Sequence, residues 1–172
     1  VIYLAFVSLG LPDGTLGVAW PSIRTTLGVP LDALGGLLPL QTAFSAWSSF
    51  LCGSLLRRWS TATLVVASCL LTSSGLLLFS LAPPYPVLML AMIPLGFGAG
   101  AVDASLNDYV ARHYTSRHMN WLHACWGAGA TLGPVIMTAA IASRFGWTMG
   151  YRALGLIQLG MAALLFLSIP LW

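Results

Sequence analysis

The sequence contains neither lysine nor glutamate, and seven arginines and four aspartates supply all of its fixed charge, 6% of 172 residues. A soluble domain usually has about a quarter of its residues charged, so this scarcity excludes a water-facing surface wrapped around one core. With 58% of residues hydrophobic, the chain reads as a membrane protein. The arginines are scattered, without a basic cluster or interleaved aromatics, which excludes a nucleic-acid interface. Cysteine is also scarce: Cys52, Cys69 and Cys125 fall inside apolar runs, so neither a disulfide framework nor a CxxC metal site is expected. The chain opens at Val1 with no basic segment leading to a cleavage site, and is expected to be a piece of a longer protein rather than one carrying a cleavable signal.

What the sequence has instead is apolar length. Crossing the hydrocarbon takes about 20 predominantly apolar residues, which leaves room for roughly six spans. Arginine, proline and short polar clusters divide the chain into predicted helices over residues 1–23, 34–56, 61–82, 87–111, 119–143 and 152–171. The breaks are RTTLGVPLDA, RRWS, PPYP, RHYTSRH and RFGWTMGY, all short enough to make neighbouring helices antiparallel. Barrel strands would alternate with period two, and a run such as LTSSGLLLFSLA does not. If the first helix starts inside, Arg57, Arg58, Arg112 and Arg117 lie in cytoplasmic loops and Arg24, Arg144 and Arg152 outside, a weak positive-inside bias.

Polar residues inside these spans are the candidates for function. GLPDG at 10–14 and GAVDA at 100–104 each place Asp three residues after Gly, at the same point of the first helix of each three-helix half. A 3+3 repeat of this kind is a transporter device, with the site at the repeat interface. Gly96, Gly100, Asp103 and Asn107 fall on one helical stripe. The glycines admit a neighbouring backbone, and Asp103 with Asn107 then faces that neighbour or a watery cavity, since an Asp facing lipid at a helix centre costs about 3 kcal/mol. Asp103 reads either as a proton or solute site or as an interhelical hydrogen bond that pins two helices. Asp108 lies four residues before Arg112 and is expected to form a structural ion pair with it.

Asp13 stands in Pro12-Asp13-Gly14 within the first span. Proline removes a helical hydrogen bond, and the freed backbone groups are tolerated only under protein or water, so a broken helix carrying an acid points to a binding site or to a capped kink. In the fifth helix Asn120, His123, Gly127, Thr131 and Pro134 share a face. If helices four and five form a hairpin, His123 lies near Asn107 and Asp103, giving a proton relay or a histidine satisfied by a backbone carbonyl. Gln41 and Gln158 could bond a polar solute, and Trp20, Trp47 or Trp126 could stack on a sugar-like face. His113, His118 and His123 are spaced by five, which does not make a zinc motif, and GFGAG at 96–100 lacks the GxGxxG spacing of a dinucleotide site. No metal or cofactor is expected, and no nucleophile–base–orienter set marks an enzyme.

Three segments, FVSLGLPDGTLGVAWPSI at 6–23, GFGAGAVDASLNDYV at 96–110 and RHMNWLHACWGAGATLGP at 117–134, with WTMGYR at 147–152, resemble the N-terminal six-helix half of a major facilitator superfamily transporter, closest to the fucose permease-like (fucose:proton symporter) branch. The resemblance implies six helices with both ends cytoplasmic, a central cavity, and alternating access against a second, C-terminal six-helix half absent from this chain. It implies a fourth-helix acid four residues before an asparagine, matched by Asp103 and Asn107. The family's first-helix acid falls about one turn after Asp13, at Gly17. The superfamily's GxxxDRxGR signature keeps Gly53 and Arg58 as gating residues, but Arg57 stands where its Asp belongs and Ser60 where its second Gly belongs.

The expected fold is therefore an all-α polytopic membrane protein, six transmembrane helices as a 3+3 inverted repeat, half of a 12-helix transporter. The expected partners are a small-molecule solute such as a sugar, protons and the lipid bilayer, in the plasma (inner) membrane. Asp103, Asn107 and His123 are the expected proton-coupling set, and Asp13, Gln41, Gln158 and Trp126 the solute-binding set. Proton-driven drug or metabolite efflux and a non-transporting six-helix scaffold are the alternatives.

Overall fold

The computed structural model describes residues 1–172, apart from the side chain of Leu171. The helices in chain order are α1 (Ile2–Gly10), α2 (Thr15–Leu27), α3 (Leu34–Leu55), α4 (Thr61–Phe79), α5 (Tyr85–His113), α6 (Ser116–Ala142) and α7 (Gly146–Leu167), with short 3-10 turns at Leu31–Ala33 and Ile169–Leu171. There is no strand among the described residues. Helices α1 and α2 form one span, Ile2–Leu27, which with α4, α5, α6 and α7 is long and apolar enough to cross a membrane. At 22 residues, α3 reaches about 33 Å at 1.5 Å per residue, enough for the hydrocarbon. It is less apolar because Gln41, Thr42, Ser45, Ser48 and Ser49 lie along it. The chain is an integral membrane protein.

The first span, expected as one helix over 1–23, breaks at Leu11–Gly14 and ends later, at Leu27. Pro12 has no N–H for the helical ladder, and Gly14 turns the chain with φ +73°, a region open to glycine. Gly28, φ +66°, then ends α2 in the usual left-handed cap. The last helix starts earlier than expected, because WTMGY opens α7 instead of forming a break. Trp147, Gly150, Tyr151 and Leu154 are all buried, and their spacing of three and four puts them on one helical face.

Two apolar clusters hold the bundle on either side of the break. One gathers Trp20, Ile23, Leu37, Phe79, Met92, Met137 and Tyr151. The other gathers Phe6, Val65, Cys69, Val102, Leu106, Leu122 and Leu165. The outer surface keeps large apolar side chains exposed, Phe50, Leu90, Val135 and Leu167 among them, as suits lipid contact. Without a hydrophobic drive between helices in lipid, small residues and interhelical hydrogen bonds do the joining. At the α3–α5 crossing a Cβ on Gly96 or Gly100 would press on the Gln41 or Ser45 carbonyl. Ser48 Oγ donates to the Phe97 carbonyl at 2.7 Å and Ser49 Oγ to that of Gly100 at 3.1 Å. At the α1–α6 crossing Gly129 and Gly133 lie against the Val7 and Leu11 carbonyls, and Gly10 against that of Trp126.

Candidate functional site

The break between α1 and α2, the polar stripe of α3, the stripe of α5 and the first half of α6 converge on one open cavity of about 480 Å³. Asp13 enters it from the Leu11–Gly14 turn, Gln41, Thr42 and Ser45 from α3, Asp103 from α5 and Trp126 from α6. Gly96 and Gly100 bring α3 and α5 together on the stripe that carries Asp103. Trp126 Nε1 donates to Asp13 Oδ2 at 2.8 Å. Asn107 Nδ2 donates to Asp103 Oδ1 at 2.9 Å, one turn along the same helix. Both carboxylates thus have one donor each and oxygens left free to accept from a solute.

Trp126 and Asp103 also line a second cavity, about 400 Å³, together with Phe6, His123 and Gly127. The indole and the Asp103 carboxylate therefore sit where the two cavities adjoin. His123 packs against the Phe6 ring, centroids 6.0 Å apart. It shares a cavity with Asp103 but makes no hydrogen bond to it among the described residues.

The chain matches the sequence pattern of the family described as Major Facilitator Superfamily over residues 2–171. It belongs to that superfamily. The molecule is accordingly a major facilitator transporter, and the superfamily's members are transporters, not enzymes. No curated protein matches the chain.

Not every expected site residue of this facilitator reaches the cavity. Gln158 does not: it is 1% exposed, its Nε2 donates to the Ser8 carbonyl at 2.6 Å, and its Oε1 accepts from Ser8 Oγ. Pro12 is the residue whose amide would have served Ser8, four residues earlier, so Gln158 repairs the broken helix and leaves the solute-lining set. Trp20 is also withdrawn, 2% exposed with Nε1 donating to the Leu31 carbonyl at 3.0 Å. Trp47 lies in an aromatic cluster with Phe44 and Phe97.

Asp108 accepts from Arg112 Nη2 at 2.8 Å. That pair borders a cleft of about 270 Å³ with Gly53, Cys52 and Arg57. Arg57 Nη2 donates to Ser54 Oγ at 3.1 Å, while Arg58 is exposed in the turn after α3 and is not part of the cleft wall.

Sequence reasoning passed over Thr42 and Ser45, although with Gln41 they mark a polar stripe along α3. It also passed over Ser8, whose carbonyl could have been named as the one that Pro12 leaves without a donor. Gly129 and Gly133 carried a small-xxx-small signal that the many small residues of α6 concealed.

Proposed function

We propose that the protein moves a small polar solute by proton-coupled alternating access, with Asp103 binding the coupling proton and Asn107 and His123 tuning it. The observation that carries this reading is a cavity in which two carboxylates, Asp13 and Asp103, meet an amide, two hydroxyls and an indole inside a membrane-spanning bundle. Acids within transmembrane helices are expensive and mark ion or proton pathways. Asp103 also borders both cavities, so its carboxylate can be reached from either.

The fucose permease-like branch supplies the finer reading. Asp103 four residues before Asn107 fits its fourth-helix pattern, and Gln41, Thr42 and Ser45 offer hydrogen bonds to sugar hydroxyls while Trp126 offers a stacking face. The 3+3 repeat is supported by paired glycine crossings, α1 on α6 and α5 on α3, and by Asp13 and Asp103 lining one cavity. A C-terminal six-helix half would complete the solute path, in the inner membrane. The test is Asp103→Asn in the full-length protein, with uptake measured against an imposed pH gradient. Loss of gradient-driven uptake supports the role, and unchanged uptake removes Asp103 from the mechanism.

One observation favours a second reading, proton-driven efflux of a cationic solute. Among the described residues lining the larger cavity none is basic, so a protonated amine would meet two carboxylates and an indole face. Benzylammonium and benzyl alcohol, alike in shape and different in charge, test the charge of the solute by competition for transport: preference for the ammonium favours a cation, parity favours a neutral solute, and proton-driven export from loaded vesicles then decides direction. A scaffold without a transport cycle predicts a dry position 103, so a Cys placed there would resist aqueous thiol reagents.

A further inference from the structure

Beside the solute cavity, where the first span breaks, lies a small, partly open pocket of about 20 Å³ that shares Pro12, Leu16 and Gln41 with it. Leu76, Phe79 and Leu95 are among its apolar lining residues, and Thr15, Gln41 and Tyr151 are its polar ones. Tyr151 is 2% exposed, and its hydroxyl has no hydrogen-bond partner among the described residues. It lies beside Thr15 without a direct hydrogen bond to it; Thr15 Oγ1 gives its proton to the Pro12 carbonyl at 2.6 Å and keeps lone pairs that can accept. A buried O–H left without a partner is unfavourable, and native proteins rarely keep one.

A space of about 10–15 Å³ holds one water, provided that two to four polar groups surround it; an apolar space of any such size stays dry. This pocket is large enough for one water and has three polar residues in its lining. We propose that it is a binding site for a single buried water, which accepts from Tyr151 Oη and donates to Thr15 Oγ1 and to the Gln41 amide oxygen. The assignment satisfies the orphaned phenol and uses both protons of the water.

The water has a structural consequence. Gln41 borders both this pocket and the solute cavity, so the bridge ties a cavity wall on α3 to α7 and to the first turn of α2, immediately after the break. Tyr151 becomes a positioning residue that acts through the water without touching the solute. The site does not depend on which solute is carried or on proton coupling.

Radiolytic hydroxyl labelling of the membrane-embedded protein tests it, because radicals formed from a bound water mark the buried side chains beside it. Trp20 is the control, equally buried at 2% exposure and outside the pocket. With the water present Tyr151 is labelled several-fold faster than Trp20; equal, slow labelling of both overturns the proposal. Tyr151→Phe gives an independent sign. A bound water deprived of its donor lowers the apparent Tm by about 2–4 °C, whereas in a dry pocket removing an orphaned hydroxyl raises it or leaves it unchanged, which also overturns the proposal. Should the variant fail to fold, labelling of the unaltered protein decides.

Discussion

Gln158 Nε2 donates to the carbonyl of Ser8 at 2.6 Å, the carbonyl that Pro12 deprives of its helical amide. The two residues lie 150 positions apart, on the first and last spans, and Ser8 Oγ returns a bond to Gln158 Oε1. A break that opens the solute cavity at Asp13 is thus closed on its other side by an amide from α7. Gln158→Leu removes both bonds while keeping much of the bulk, and should destabilise the chain by about 1–3 kcal/mol through the unsatisfied Ser8 carbonyl. A thermal melt in detergent checks this. An unchanged midpoint would mean that the broken helix needs no repair.

The α1–α6 crossing depends on glycines that have no room for a methyl group. A Cβ on Gly133 would fall on the Leu11 carbonyl oxygen, and one on Gly129 on that of Val7, whereas Gly127, on the same helix, faces open space. Backbone cannot yield as a flexible side chain can, so Gly129→Ala and Gly133→Ala should each cost about 1–3 kcal/mol or more. Gly127→Ala should be neutral within about 0.5 kcal/mol. Folded yield and melting midpoint of the three variants, measured side by side, separate crossing glycines from incidental ones.

The Asp108–Arg112 pair should matter little to stability. Their side chains are 37% and 68% exposed, and pairs of this kind at i, i+4 contribute about 0.3–0.5 kcal/mol, less in high salt. Asp108→Asn is therefore expected to shift the midpoint by no more than about 2 °C, with the difference shrinking between low and high salt. A large, salt-independent loss would assign Asp108 to something other than this local pair.

What the sequence made legible is what stays within one helix. Apolar windows bounded by arginine and proline announced an all-helical membrane protein, and the 3.6-residue period put Gly96, Gly100, Asp103 and Asn107 on one stripe before any neighbour was known. The destination of a side chain in another helix is a different matter. Gln41 and Gln158 are both lone amides in apolar spans, yet packing turns one into a cavity and the other onto Ser8. Trp20 and Trp126 are both indoles among small residues, and only the second reaches a cavity. WTMGY read as a break because its glycine and polar residues suit turns; burial of Trp147 and Tyr151 in the core overrode that local preference. In each case the deciding contact spans more than a hundred residues or a helix face that composition leaves ambiguous.

The hydrogen bond from Trp126 to Asp13 fixes the indole at the junction of the two cavities, and its dependence on the acceptor can be measured. Asp13→Asn keeps an oxygen that can accept from Nε1, while Asp13→Ala removes the acceptor. In protein labelled with fluorotryptophan, the Trp126 resonance is identified by its loss in Trp126→Phe. It should stay near its original position in Asp13→Asn, then shift and broaden in Asp13→Ala as the ring, 42% exposed, gains rotamers. Solute-driven changes in that resonance should disappear in Asp13→Ala and persist in Asp13→Asn, if the ring held by Asp13 is the face on which the solute rests. Should Asp13→Ala leave the resonance untouched, packing alone holds the indole, and Asp13 is free to act on the solute directly.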